Sequence, residues 1–224
     1  MNVLQICDLK TLDPSHKRDI LRLSKRNSSQ LINRPVKSNH PMFGLTTAWM
    51  LADIELQLDP YTSSRMGSEL ILVTDHESKA AGFLTYNRAY DSPTACGLNY
   101  VCVDAKHRNQ GLMTLMIDHL KSNFTEIALA CFPDLVEMYE KQGFVMYEAA
   151  GSQIAMRIGS EHVMKKVGPQ MLMEHSDVKH ATQLFVTKHG EKKATKINNA
   201  FDEETALLSK RVEAFVRDRK QNFK

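Results

Sequence analysis

"VDAKHRNQGLMTLMIDHL", residues 103–120, decides how the rest of the chain is read. An apolar run ends at Val103 and a polar turn carrying Arg108 and Gly111 follows. From Thr114 to about Asn123, Leu115, Met116, Ile117 and Leu120 form an apolar stripe. The pattern predicts a strand that passes into a helix through consecutive backbone N–H groups, with little side-chain bulk at Gly111. The first N–H groups of a helix have no partner inside it, so the turn is expected to have something seated over it.

Working upstream, "GLNYVCVDA" (97–105) reads as the strand that feeds this turn, with Val101 and Val103 alternating around Cys102. "SELILVTD" (68–75) and "AAGFLTYNRAY" (80–90), separated by "DHESK", predict a β-hairpin. A first strand is expected at Val3–Cys7. A helix follows from Pro14, announced by Asp13 and carrying Ile20, Leu21 and Leu23. "NRPVKSNHPMFG" is a loop, and "LTTAWMLADIELQL" is apolar at helical spacing, with Trp49, Leu51, Ile54 and Leu58. Downstream, "EIALACF" (126–132) is a buried run. "DLVEMYEKQGF" is a short helix stopped by Gly143, and "FVMYEA" and "QIAMRI" pair around Gly151.

At 224 residues the chain can bury a sizeable core without disulfides or metals. Hydrophobic residues at 42% and charged residues at 25% are ordinary globular values, and no apolar run approaches the roughly 18 residues of a membrane span. The start, "MNVLQICDLKTLD", lacks a basic stretch followed by an apolar one, which predicts a cytoplasmic protein. Cys7, Cys96, Cys102 and Cys131 include no C-x-x-C pair and are expected to be reduced. His175, His180 and His189 match no helical ligand spacing, so no metal site is expected. Residues 1–159 carry 16 Lys/Arg against 17 Asp/Glu, whereas residues 160–224 carry 13 against 9. The tail is the basic part.

With these elements in place, Val103-Asp104-Ala105-Lys106-His107-Arg108-Asn109-Gln110-Gly111-Leu112-Met113 resembles the signature of the GNAT family of N-acetyltransferases, a strand ending in Val-Asp-Pro followed by Q/R-x-x-G-x-G/A. Arg108 and Gly111 match; Met113 does not. One strand later "LVEMYEKQGF" is similar to the family's Y-E-K-x-G-F helix end, with Tyr139, Glu140, Lys141, Gly143 and Phe144 in register. The resemblance covers about residues 1–158 and is strongest at 98–148. It implies an α/β (α+β) fold: a GNAT-like mixed, mostly antiparallel central sheet with helices on both faces, here with a helical C-terminal extension at 159–224.

The resemblance also implies acetyl-coenzyme A as co-substrate, held by Val101, Cys102, Val103, Arg108, Asn109, Gln110, Gly111, Leu112, Met113 and Thr114. The physics agrees, because unpaired N–H groups and the helix dipole favour an anion such as a pyrophosphate at the start of a helix. Each charge-assisted bond there is worth about 1.5–3 kcal/mol, and Gly111 lets phosphate oxygens approach the backbone. Arg108 belongs to that cradle in the family, or braces the turn. Met113, where the family prefers Gly or Ala, must point into the helix–sheet interface or narrow the site. The strands of Val101–Val103 and Ile127–Cys131 are expected to splay apart around the pantetheine arm.

Direct attack by a primary amine needs a neutral nitrogen, and a lysine-like amine is only about one part in a thousand neutral near pH 7.4. A base must therefore take part. Family position makes Tyr139 the general acid for the departing thiolate; its ring packing beside Phe144 is the alternative use. Glu69 is the first candidate base, with Asp104 and Glu148 as alternatives, and the asparagine common seven residues before the tyrosine is Phe132 here.

In "DEETALLSKRVEAFVRDRKQNF", Leu208, Val212, Phe215 and Val216 share one helix face, which must be buried on the same domain or across a homodimer. "TKHGEKKATKINN" (187–199) reads as a solvated basic linker. The expected partners are an amine-bearing small molecule or protein substrate, with neither membrane nor nucleic acid. The alternatives to an acetyltransferase are a catalytically retired scaffold and a nucleic-acid binder working through the tail.

Overall fold

The computed structural model describes residues 1–222. Its strands are β1 (Asn2–Ile6), β2 (Ser68–Thr74), β3 (Ala80–Arg88), β4 (Ala95–Val103), β5 (Glu126–Cys131), β6 (Val145–Ala150) and β7 (Gln153–Ile158), in the sheet order β1-β2-β3-β4-β5-β7-β6. Every pairing is antiparallel except β4 with β5. That parallel pair is short. Ala95, Cys96 and Gly97 face Glu126, Ile127 and Ala128, and beyond them the two strands part. From there β4 keeps its bonds to β3, and Leu129–Cys131 of β5 keep theirs to β7. Asn99 is the extra residue of a bulge, since Thr85 faces Tyr100 while Tyr86 faces Leu98.

One sheet face carries Leu70, Leu72, Phe83 and Cys102, covered by Ile20 and Leu23 of α1 (Pro14–Arg26) and Met50, Ile54 and Leu58 of α3 (Phe43–Leu58). Between these helices lies the short α2 (Ser28–Leu31). The other face carries Ile71, Val73, Leu84 and Tyr86 under Met116, Ile117 and Leu120 of α5 (Leu112–Asn123). Helix starts follow local chemistry: Asp13 accepts from the Ser15 N–H at 2.7 Å, with Pro14 opening α1. Asp59 does the same for α4 (Pro60–Met66), accepting from the Thr62 N–H at 2.9 Å, and Gly67 ends it at φ +66°. The α4 helix is legible in the Asp59-Pro60…Gly67 punctuation.

Beyond β7 the structure departs from the expectation set by charge. Residues 187–199 are not a solvated linker: α7 (Pro169–Glu174) leads into α8 (Ser176–His189), and Gly190 at φ +73° breaks the chain into α9, which runs from Glu191 to Asn222. Ala, Lys and Glu are strong helix formers, and Ala194, Ile197 and Phe201 turn inward while the lysines stay out. A stripe at Phe201, Thr205, Leu208, Val212 and Val216 then follows a spacing of three or four residues, the apolar face of a packed helix. Phe201 joins the α1/α3 core, and Val212 and Val216 join the α5 core. Over about 22 Å of axis, α9 passes from one core to the other.

Its anchors are specific. Arg34, buried in the α2–α3 loop, stacks on Phe201 at 3.4 Å, donates to the Phe201 carbonyl at 2.6 Å and to the Thr205 hydroxyl, and pairs with Glu204 at 3.3 Å. At the far end Arg219 pairs with Glu140 at 2.7 Å, on α6 (Val136–Glu140). Among the described residues no helix is long and apolar enough to cross a membrane.

Candidate active site

The parting of β4 and β5 opens two cavities. The first, about 830 Å³, is lined by Val101, Cys102 and Val103 of β4, by Arg108, Asn109 and Gly111–Thr114 of the strand-to-helix turn, by Phe132–Leu135, and by Met138 and Tyr139 of α6. The second, about 660 Å³, is lined by Gly97–Tyr100, by Ala128–Ala130, and by α3 and the segment after β7. Leu31 borders both. The Ser152 hydroxyl donates to the Asn33 carbonyl at 2.6 Å, joining the β6–β7 turn to the α2–α3 loop across the split.

The turn has the geometry of an anion cradle. Asp104 accepts from the Lys106 N–H at 3.1 Å, and its carbonyl accepts from the His107 N–H at 2.8 Å. After that, among the described residues, no N–H from Arg108 to Thr114 has a partner, because the first helical bond is Leu115 N–H to the Gly111 carbonyl at 2.9 Å. Asn109 at φ +60° and Gly111 at φ +75° turn the backbone so that these groups open outward, and a Cβ at Gly111 would meet nothing within 4 Å. The floor is therefore backbone, in a left-handed conformation that suits Gly.

The predicted cofactor residues gather here with one exception: Gln110 is not among the lining residues and donates to the Lys106 carbonyl at 3.2 Å. Arg108 braces the turn against the first helices, donating to Asn27 at 2.5 Å and to Gln30 at 3.1 Å. Met113 lines the cavity and packs partly against the core, so its side chain borders the helix–sheet interface. Thr114 accepts from Gln142 at 3.3 Å, which ties α5 to the end of α6.

Tyr139 of α6 lines the first cavity, 4% exposed, its ring edge-on to Phe144 at 5.7 Å. Burial, reinforced by Cys131 beside it, raises the phenol well above its usual value, so the hydroxyl stays protonated. Cys102, the thiol lining this cavity, is pushed up to about 12 by burial and is no thiolate nucleophile at neutral pH.

The candidate bases separate. Glu69 reaches neither cavity: it is buried between β2 and β3, where it accepts from the Tyr86 hydroxyl at 2.5 Å and pairs with Arg88. An ion-paired carboxylate under the sheet cannot meet an acceptor in the split. Asp104 is held by its own turn and by Arg26 at 3.6 Å. Glu148 lines the second cavity from an exposed position on β6.

Asp53, which the sequence reading did not single out, lines that cavity from α3. Its carboxylate accepts from the Tyr100 hydroxyl at 2.6 Å and from the Gln57 amide at 3.1 Å. Burial outweighs these bonds and raises its pKa above the ordinary carboxylate value. The available signal was an acid with Gln at i+4 in a largely apolar helix whose other charged residue is Glu55. Among the described residues no cluster of His, Cys, Asp and Glu suited to a metal is found.

Comparison with known proteins places this geometry. The family model described as Acetyltransferase (GNAT) family matches residues 39–144. The PaiA N-acetyltransferase of Thermoplasma acidophilum, solved in complex with coenzyme A, shares 11% identity over 71% of this chain and 100% of its own, with a TM-score of 0.52. An aminoglycoside 6′-N-acetyltransferase complexed with coenzyme A shares 12% identity over 75% of this chain and 100% of its own, with a TM-score of 0.50. Aminoglycoside 6′-acetyltransferase type Ii shares 16% identity over the same shares, 75% and 100%, also with a TM-score of 0.50. A search of curated protein sequences finds no match. Fold and family model agree: the chain has the fold of these acetyltransferases, and its residues 39–144 match the acetyltransferase (GNAT) family model.

Proposed function

We propose that the protein is an N-acetyltransferase that moves the acetyl group of acetyl-coenzyme A to a primary amine by direct attack. The observation that carries the reading is the run of N–H groups from Arg108 to Thr114, unpartnered among the described residues, in a turn whose residues all line the 830 Å³ cavity except Gln110. These amides and the positive end of the α5 dipole suit a diphosphate without any lysine. Val101–Val103, free of β5 on their cavity side, offer edge backbone groups to an extended arm. When bound, acetyl-coenzyme A supplies a thioester as acyl donor. Tyr139, protonated and lining the cavity, gives a proton to the departing sulfur in this reading. The amine enters from the second cavity, on the other side of Leu31.

The test is thiol release from acetyl-coenzyme A over a panel of primary amines, run beside calorimetric titration with coenzyme A. The reading expects micromolar-range binding and turnover of at least one amine class. Binding without any thiol release would favour a retired scaffold, and no binding would remove the enzyme reading altogether.

A further inference from the structure

The second cavity carries a charge arrangement that acetyl transfer alone does not demand. Asp53 is fixed by neutral donors only, Tyr100 at 2.6 Å and Gln57 at 3.1 Å. The Gln57 carbonyl in turn accepts from Thr85 at 3.0 Å and Asn99 at 3.1 Å, so the supporting amide cannot turn away. Asn99 also donates to Asn87 at 2.9 Å, extending the network into β3. Among the described residues no Lys, Arg or His forms an ion pair with Asp53 within 4 Å; Lys166 acts on it through space at longer range. A carboxylate drawn out of bulk water and held by neutral hydrogen bonds is a strong site for a cation brought by a ligand.

A second charge of opposite sign faces the same space. Lys166, on the segment after β7, lines the cavity and is exposed. The other lining cation, Arg157, is engaged, 4.6 Å from the Tyr147 ring and 3.7 Å from Glu161. Two further acids line the cavity, Glu148 exposed on β6 and Glu161 paired with Arg157, so a polyamine is disfavoured only where its second ammonium falls beside Lys166. A peptide lying across the split would meet the Ser152–Asn33 bridge.

We infer that the second cavity takes a small primary monoamine that also carries an anionic group, its ammonium on Asp53 and its anion on Lys166, and that Asp53 receives the ammonium proton. The inference rests on the acetyl-transfer reading and names its acceptor class. The protons balance. Asp53 takes one from the ammonium, which frees the nitrogen lone pair. The C–N bond forms as the C–S bond breaks, and Tyr139 protonates the departing sulfur. The second proton lost by the nitrogen restores Tyr139 through water, and Asp53 releases its own to solvent. A carboxylate whose affinity for protons is raised by burial is better matched to this task than an exposed one.

The experiment compares matched probes with the full chain: linear amino carboxylates, their methyl esters, and linear diamines of equal length, with thiol release as the readout. The expected order is amino carboxylate above ester and above diamine by about tenfold or more, the scale of one charge-assisted contact. Lys166→Met should bring the acid-to-ester ratio in kcat/KM close to one. Asp53→Asn should lower kcat for every amine by about a hundredfold while leaving coenzyme A affinity within twofold. Tyr100→Phe, which keeps the carboxylate but removes one donor, serves as the milder variant should Asp53→Asn unfold.

Diamines preferred over amino carboxylates, an acid-to-ester ratio unmoved by Lys166→Met, or coenzyme A binding with no amino carboxylate turned over would each overturn this inference while leaving the transfer reading intact. Failure to bind coenzyme A removes both.

Discussion

Tyr139 and Asp53 are two side chains whose protonation is set by burial, and each makes a distinct demand on experiment. The phenol is raised, so it remains an acid through the neutral and alkaline range. Tyr139→Phe should therefore cut kcat by about a hundredfold with coenzyme A affinity unchanged by calorimetry, and the native rate should show no loss from this group's titration below about pH 10. Equal rates for the two proteins would assign Tyr139 to packing against Phe144. For Asp53 the folded pKa lies above its ordinary value, so the fold favours the protonated form. The contribution is fully present below the unfolded pKa and is lost as pH rises through the folded one. Tyr100 and Lys166 lower the penalty without removing it. Asp53→Asn is then expected to melt higher than the native protein at pH 7 and to converge with it near pH 4; a lower melting point at both values contradicts the assignment. Tyr139 was legible because it stands in a recognisable Y-E-K-x-G-F run. Asp53 was not, since an acid two residues from Glu55 on the same helix stands out only once Tyr100 is brought to it through space.

Among the elements, the strands and α5 were readable for a simple reason: alternation and helical spacing are local, and the turn between β4 and α5 is written in Gly111 and its polar neighbours. The bulge at Asn99 and the parting of β4 from β5 depend on pairings between distant strands, and only the family likeness anticipated the split. The basic stretch at 187–199 misled because its charge suggested solvation, whereas its helix propensity and the Ala194, Ile197, Phe201 spacing decide the outcome. Arg34 is the element-scale test. It is buried, and its guanidinium bonds to three residues of α9, Phe201, Glu204 and Thr205, and stacks on the Phe201 ring. Arg34→Ala strips those partners at once and should cost about 3 kcal/mol in denaturant unfolding. A cost below about 1 kcal/mol would show that α9 does not need this anchor.

At the scale of the whole molecule, α9 joins two cores that lie on opposite faces of one split sheet. Phe201 belongs to one and Val212 and Val216 to the other, with Leu208 between them lining the first cavity. The extension is thereby coupled to the cleft in a way that its basic composition did not suggest. Val212→Ala, at a fully enclosed position, should destabilise by about 2 kcal/mol with binding retained, whereas Leu208→Trp should spare stability and weaken coenzyme A binding by filling the cavity. If both variants bind coenzyme A as the native protein does, α9 is structural only.

The central claim is that backbone amides between Arg108 and Thr114 hold a diphosphate. Calorimetric titration of coenzyme A into the native protein, Gly111→Ala and Gly111→Asp tests it most directly. Both variants share the strain of a left-handed backbone, about 1–2 kcal/mol, and only the second adds a negative charge to a cradle open beyond 4 Å. The account predicts measurable binding to Gly111→Ala and none to Gly111→Asp; equal affinity for the two variants would contradict it.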